Sequence, residues 1–228
     1  MTLGVLGGTF DPIHNGHITA GLRAQSALRL DRVMLVPSRI PPHRNAGASP
    51  EDRLAMAGLV AADHQGWTAS DIELTRDGPS YTFDTLTELA RTGGEWQFFF
   101  IIGADAFAEI ATWSRYPAVL DLAHFAVVAR PGITLHSLQA RVPDLADRMT
   151  TPDLFKPPTY AKASAGRQAP SPKPDGKTRV ILIETATPDV SSTEIRRRVR
   201  AGESIGDLVP ESVAAYVSTH RLYVAAAH

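Results

Sequence analysis

Apolar residues along the chain fall into short dense runs, separated by longer stretches in which they recur every three or four positions. Val33-Met34-Leu35-Val36 and Phe98-Phe99-Phe100-Ile101-Ile102 are nearly continuous. A strand needs that composition when helices cover both of its faces. Strands are predicted over Leu3–Leu6, Arg32–Pro37, Thr68–Leu74, Gln97–Ile102, Phe125–Ala129 and Arg179–Glu184. Helices are predicted over His14–Leu30, Pro50–Asp63 and Phe83–Arg91. Ser49 reads as the cap of the second, with Pro50 at its first position and Asp52 at its third. Gly93-Gly94 ends the third. This alternation predicts an α/β fold, a Rossmann-like doubly wound parallel sheet with helices on both faces and right-handed crossovers. Ligands of such sheets bind at the carboxyl ends of the strands, where the strand order reverses.

The rhythm breaks once. Residues 149–177 are dense in Pro, Ala, Ser and Lys, and proline prevents regular hydrogen-bonded structure. The expectation is a single domain over 1–228 carrying a flexible Pro-rich insertion there. With 228 residues, 43% of them hydrophobic, the chain has material for one sizeable core. A net charge of −1 gives no global attraction to nucleic acid or an anionic membrane, so any anion must be met by local basic groups. The absence of cysteine excludes a disulfide framework and a thiolate zinc site. Met1–Leu6 lacks the basic and long apolar regions of a signal peptide, and no run approaches the ~20 apolar residues of a membrane span. A cytoplasmic protein without membrane or nucleic-acid partners is expected, and a homo-oligomer stays open.

The densest chemistry lies directly after the first strand, in Gly7-Gly8-Thr9-Phe10-Asp11-Pro12-Ile13-His14-Asn15-Gly16-His17. Paired glycines let backbone turn sharply and approach a ligand, and the helix start that follows offers N–H donors and a positive dipole end to an anion. The segment is neither the dinucleotide fingerprint nor a P-loop, since both spacings are absent. His14 and His17 share a helix face, aimed at a bound phosphate. A zinc site would need a third ligand, which the local sequence lacks. A second candidate cradle is Ser191-Ser192-Thr193-Glu194-Ile195-Arg196. Ser191 and Glu194 have capping-box spacing, and Arg196 follows one turn on as a forked phosphate donor. The run Arg196–Arg200 fans around a helix instead of forming one stripe, so solvation explains Arg197 and Arg198 better than nucleic acid does.

These two segments resemble the paired signatures of the (T/H)xGH nucleotidylyltransferase superfamily. With Gly-Gly-Thr-Phe-Asp-Pro ahead of His14, the chain is most similar to the bacterial nicotinate-nucleotide adenylyltransferases. The likeness continues through Val36–Arg44, Gly78–Leu86, Gly103-Ala104-Asp105, Trp113, Val127–Gly132, Val209-Pro210 and Tyr216 to Tyr223, and so covers nearly the whole chain. It departs at the 149–177 insertion and at Arg44, where relatives often carry lysine. The resemblance implies transfer of AMP from ATP to nicotinate mononucleotide, with pyrophosphate released. It implies ATP contacts at Gly7, Gly8, Thr9, Phe10, His14, Gly16, His17, Gly103, Asp105, Ser192, Thr193 and Arg196. His14, His17 and Arg196 carry the catalytic roles. The acceptor falls to Arg44, Tyr81, Thr82 and Trp113. Mg²⁺ is expected to enter with ATP, bridging phosphates without protein ligands. Two other readings remain at this stage: a transferase for another phosphorylated acceptor, such as nicotinamide mononucleotide or phosphopantetheine, and a nucleotide-binding regulator without turnover.

Overall fold

The computed structural model describes residues 1–41, 46–92, 96–129, 133–155 and 178–224. Its strands are β1 (Thr2–Gly8), β2 (Arg32–Pro37), β3 (Trp67–Ala69), β4 (Gln97–Gly103), β5 (His124–Ala129), β6 (Met149–Thr150) and β7 (Val180–Glu184). Its helices are α1 (Asn15–Leu28), α2 (Pro50–Ala62), α3 (Thr82–Thr92), α4 (Ala104–Phe107), α5 (Leu135–Arg141), α6 (Ser192–Arg200) and α7 (Glu211–Thr219). The strands form one seven-stranded sheet in the order β3-β2-β1-β4-β5-β7-β6. Val33 pairs with Trp67, Phe99 with His124, and Val180 with both Phe125 and Met149, all in parallel register. This is the doubly wound order, with its reversal after β1.

Two compact units are distinguished by their contacts. The first comprises Met1–Gly4, Arg23–Asp31 and Tyr81–Ala186; the second comprises Val5–Leu22, Arg32–Ser80 and Thr187–His228. In the first, β5 is buried along its whole length and β4 as far as Ile102, as expected of strands with apolar side chains on both faces. Phe125 meets Phe100 and Phe107, each at 5.8 Å between ring centroids.

His124 opens β5 and is fully buried. Its Nδ1 accepts the N–H of Arg179 at 3.0 Å, and its Nε2 lies 2.9 Å from the Gln97 amide. With Nδ1 an acceptor, the neutral ring carries its proton on Nε2, and the Gln97 amide meets it through its oxygen, an assignment made from the hydrogen-bond pattern. Phe99 and Phe155 lie against the ring at 5.0 and 5.2 Å. Burial, helped by the nearby Arg179 charge, lowers its pKa to about 4.

Three expectations need correction. Met149 and Thr150 form an edge strand on β7, and Phe155 packs on Phe99 at 5.9 Å, so the first residues of the expected insertion are built into this unit. Residues 156–177 lie outside the described ones, as do Gly93 and Gly94. In the second unit β3 stops at Ala69, short of the predicted Leu74. Ser70 donates its N–H to Leu35 in ladder fashion, but its hydroxyl then accepts the N–H of Ile72 at 3.3 Å and turns the chain away. Ser191 caps α6 through the N–H of Glu194, but no reciprocal capping box forms, because the Glu194 carboxylate is held by Arg197 and Arg198. The Ser49–Asp52 start of α2 forms as expected. No helix among the described residues is long and apolar enough to cross a membrane.

A buried neutral histidine links this fold to pH. The unfolded ring, near its ordinary 6.5, binds a proton that the folded ring refuses until about 4. The His124 contribution is therefore complete above pH 6.5 and lost as pH falls toward 4, at a slope of up to about 1.4 kcal/mol per pH unit. Urea unfolding at pH 7.5, 6.0 and 5.0 should show this slope, and His124→Phe should be shallower by up to one proton across that window. An unchanged slope would mean that His124 titrates equally in both states.

Candidate active site

The sharp turn after β1 is not made by its glycines. Gly7 and Gly8 lie within the strand, and neither has positive φ. The turn falls instead at Phe10, a buried residue with φ of 51°. A non-glycine residue held there carries strain on the order of 1–3 kcal/mol and persists only where its surroundings hold it. Gly8 is needed for a different reason: a Cβ at that position would sit 2.8 Å from the Phe10 ring. Phe10 in turn meets the edge of His17 at 5.1 Å between centroids.

His14 and His17 are brought together as expected, but by stacking, with centroids 3.7 Å apart. The helix begins at Asn15, and the His14 carbonyl accepts the N–H groups of His17 and Ile18 at 2.9 and 3.2 Å. The His14 N–H donates to His17 Nδ1 at 3.3 Å. In the neutral His17 ring that bond leaves the proton on Nε2, making this edge a hydrogen-bond donor. His14 is 7% exposed, and its Nδ1 has no hydrogen-bond partner among the described residues. Burial lowers its pKa to about 4, so near neutral pH it acts as a dipole and not as a cation. Gly16 is tightly enclosed: a Cβ there would fall 3.1 Å from both the His14 ring and Val190, so those side chains would have to give way.

α6 begins against this turn. Ser192 donates its hydroxyl to the Pro12 carbonyl at 3.1 Å. Arg196 donates through Nη1 to the Asp11 carbonyl at 2.7 Å, and Nη2 approaches the Thr193 hydroxyl at 3.4 Å. Gly7, Gly8, Thr9, Phe10, His14, Gly16, His17, Ser192, Thr193 and Arg196 thus all belong to the second unit. On the outer face of α6, Arg197 pairs with Glu194 and Glu203 at 2.8 Å. Arg198 pairs with Glu194 and Asp207 at 3.1 and 3.0 Å. These two arginines are neutralised locally, as the solvated-helix reading expects.

Other expected residues belong to the first unit. Gly103 ends β4 with φ of −73°, and no described residue beyond its chain neighbours lies within 4 Å of where a Cβ would stand, so neither conformation nor packing among the described residues requires glycine. Asp105 is exposed in the first turn of α4, 3.6 Å from Arg141. Trp113 is half-buried, edge-on to Phe100 at 5.9 Å. Thr82 is the first residue of α3 and not its cap; the Tyr81 carbonyl accepts the N–H groups of Asp84 and Thr85. Arg44 lies outside the described residues.

Sequence reasoning missed two hubs in the second unit. Asp11, 2% exposed, accepts the N–H groups of Gly47 and Ala48 at 2.7 and 2.9 Å and the Tyr223 hydroxyl at 2.9 Å, and pairs with Arg196 at 3.3 Å. Burial, then the Asp11 charge, raises the Tyr223 pKa, so the phenol stays a donor. Arg53, wholly buried, donates to the carbonyls of Thr9, Ser38, Arg39 and Ala48 at 2.8, 2.5, 3.2 and 3.3 Å. It ties the turn after β1 to the loop after β2. Burial lowers its pKa, while Asp11 is the largest influence in the opposite direction. A signal was present: Arg53 shares the buried stripe of α2 with Met56, Ala57 and Val60, where an unpaired charge has no place.

Residues 5–198 match the family model described as cytidylyltransferase-like. A probable nicotinate-nucleotide adenylyltransferase of Desulfatibacillum aliphaticivorans is 39% identical, over 98% of this chain and 100% of that protein. One from Shewanella frigidimarina is 35% identical, over the same shares of the two chains. Among solved structures, the Plasmodium falciparum nicotinic acid mononucleotide adenylyltransferase complexed with NaAD matches the fold with a TM-score of 0.70. That match is at 16% identity and covers 97% of each chain. The chain belongs to the cytidylyltransferase-like family, in its nicotinate-nucleotide adenylyltransferase branch.

Arg53 supplies the prediction here. Arg53→Met keeps the apolar stem and removes donors to four carbonyls, so chemical denaturation should show a loss of about 3–5 kcal/mol. Arg53→Lys keeps the charge without the fork and should recover only part of it. A loss below about 1 kcal/mol for the methionine variant would show that those carbonyls find other donors.

Proposed function

Taking that family membership as the premise, we propose that the chain transfers AMP from ATP to nicotinate mononucleotide, forming nicotinate adenine dinucleotide (deamido-NAD) and pyrophosphate in NAD biosynthesis. The observation that carries this reading is the assembly around one turn of three donor sets suited to a polyphosphate. These are the His17 Nε2 edge, the N-terminus of α6 with Ser192 and Thr193, and the Arg196 guanidinium.

The acceptor brings a phosphate oxygen that is already anionic, so the reaction needs no strong base and no enzyme nucleophile. That oxygen attacks the α-phosphorus in line; the bond to the bridging oxygen of the β-phosphate breaks, and pyrophosphate leaves with the electron pair. Positioning and charge stabilisation supply the catalysis. His17 donates from Nε2 to the α-phosphate as charge grows there. His14, kept neutral by burial, holds phosphate oxygens by polarity alone. Arg196, with Ser192 and Thr193, binds the β- and γ-phosphates and stabilises the departing pyrophosphate. Gly7, Gly8, Thr9, Phe10 and Gly16 shape the wall along which ATP lies.

ATP enters as its Mg²⁺ complex. Mg²⁺ commonly keeps several waters and is held through substrate phosphates. Held by the phosphates, the ion would add positive charge on the leaving group, beside that supplied by Arg196.

The remaining assignments concern ribose and acceptor. The space at Gly103, open among the described residues, suits close approach of a ligand to backbone, and the exposed Asp105 carboxylate suits a ribose diol. The half-buried Trp113 presents an indole for the pyridine ring. Backbone groups at Tyr81 and Thr82, where α3 begins, receive the pyridine carboxylate, and Arg44 receives the acceptor phosphate.

The decisive assay is pyrophosphate release with ATP and Mg²⁺, offering nicotinate mononucleotide, nicotinamide mononucleotide or phosphopantetheine. Nicotinate mononucleotide should turn over fastest and yield a dinucleotide by chromatography; silence with both pyridine nucleotides would sink the acceptor assignment. His17→Ala should fold normally and lose about 100-fold or more in kcat, as when an oxyanion-hole donor is removed. Near-normal turnover in that variant would remove His17 from the mechanism.

A further inference from the structure

We propose that Asp11 is a positioning residue for Arg196, and that the Tyr223 hydroxyl fixes the Asp11 carboxylate in that task. The proposal rests on Arg196 being the donor to the ATP phosphates. Four donors converge on the two carboxylate oxygens. Oδ1 accepts from the Ala48 N–H and from Tyr223, each at 2.9 Å. Oδ2 accepts from the Gly47 N–H at 2.7 Å and faces Arg196 Nη1 at 3.3 Å. The same Nη1 donates to the carbonyl of Asp11 at 2.7 Å. One residue therefore holds one corner of the guanidinium twice, through backbone and side chain, while three other donors stop the carboxylate from rotating.

Gly47 gives independent support. A Cβ there would stand 3.3 Å from the Tyr223 ring and 3.5 Å from Arg196 Cδ. Bare backbone at this point lets the loop pack closely on the phenol that holds the Asp11 carboxylate, while the 3.5 Å approach to the arginine stem is an ordinary contact. Only a carboxylate suits the centre of this cluster. Asparagine would supply a single oxygen and turn an amide NH₂ toward a backbone N–H, donor against donor. Two physical consequences compete. A carboxylate beside Arg196 partly neutralises it, which weakens its pull on phosphate. It also removes the freedom of a long side chain before ATP arrives, and misplacement by about 1 Å can cost on the order of a hundredfold in rate. The shared Nη1 and the locked carboxylate favour positioning over neutralisation.

Steady-state kinetics in both substrates test this with Asp11→Asn, Tyr223→Phe, Arg196→Ala and the Asp11→Asn/Arg196→Ala double variant. Asp11→Asn should lower kcat/KM for ATP by about 10- to 100-fold, with KM for nicotinate mononucleotide within about twofold of the parent. Tyr223→Phe, which keeps the ring in place, should show the same split at about 3- to 10-fold. The double variant should be no worse than Arg196→Ala alone, because Asp11 acts through that arginine. Additive losses, equal rises in both KM values, or a lower KM for ATP in Asp11→Asn would overturn the proposal. If Asp11→Asn does not fold, the substrate split in Tyr223→Phe decides alone. A parent protein that forms no dinucleotide would refute the adenylyl-transfer reading, whereas an active parent with an ATP-insensitive Asp11→Asn refutes this proposal only.

Discussion

The second unit depends on one constraint: a charged carboxylate, Asp11, placed where water barely reaches. Such a group is tolerated only when its acceptor sites are filled, and here segments distant in sequence fill them. The loop after β2 gives two backbone donors, α6 gives an arginine, and the stretch beyond α7 gives a phenol. Arg53 does the complementary task. Its guanidinium gathers carbonyls from the same turn and the same loop. Carbonyls drawn inward toward Arg53 are kept from a ligand, and an anion repels exposed carbonyl oxygens. The two hubs thus shape a backbone that can receive phosphate.

The strained turn at Phe10 follows from this arrangement. A φ of 51° in a phenylalanine persists only when its neighbours hold it. Gly8 below the ring, His17 beside it and the tethered Asp11 after it do so. The strain has a use. It carries the chain from β1 into α1 tightly enough to stack His14 on His17, and that stacking places the His14 N–H on His17 Nδ1. In the neutral ring, the tautomer of the proposed catalytic histidine is therefore set by a backbone N–H.

Much of this was legible in the sequence, and the misses have physical causes. Dense apolar runs located five strands to within a few residues, because strands covered on both faces have no polar face to blur the signal. β3 was drawn too long because the Ser70 hydroxyl can end a ladder that apolar pattern alone would extend. The edge strand at Met149–Thr150 has two residues and no periodicity to show. The phosphate signatures stood out because they are local. The Asp11 and Arg53 hubs did not, since each becomes one object only when residues up to 212 positions apart meet. The paired glycines Gly7 and Gly8 read as turn formers, but the turn falls at Phe10, and Gly8 serves by leaving space for its ring.

A chain of net charge −1 must still hold a highly charged anion. It does so by placing opposite charge unevenly. Around α6 the outer arginines are met by Glu194, Glu203 and Asp207, and Glu194 is held near pKa 2, chiefly by its hydrogen bonds to Arg197 and then Arg198. These exposed pairs are screened and add little field at a distance. Arg196 and Arg53 are different, being largely removed from water, where charge is screened less. Asp11 lies beside Arg196 and acts on Arg53, where Glu51 and Glu73 add further negative charge. The outer face of α6 is close to neutral. An extended polyanion would need an extended stripe of positive charge, whereas Arg197 and Arg198 of α6 are paired with carboxylates.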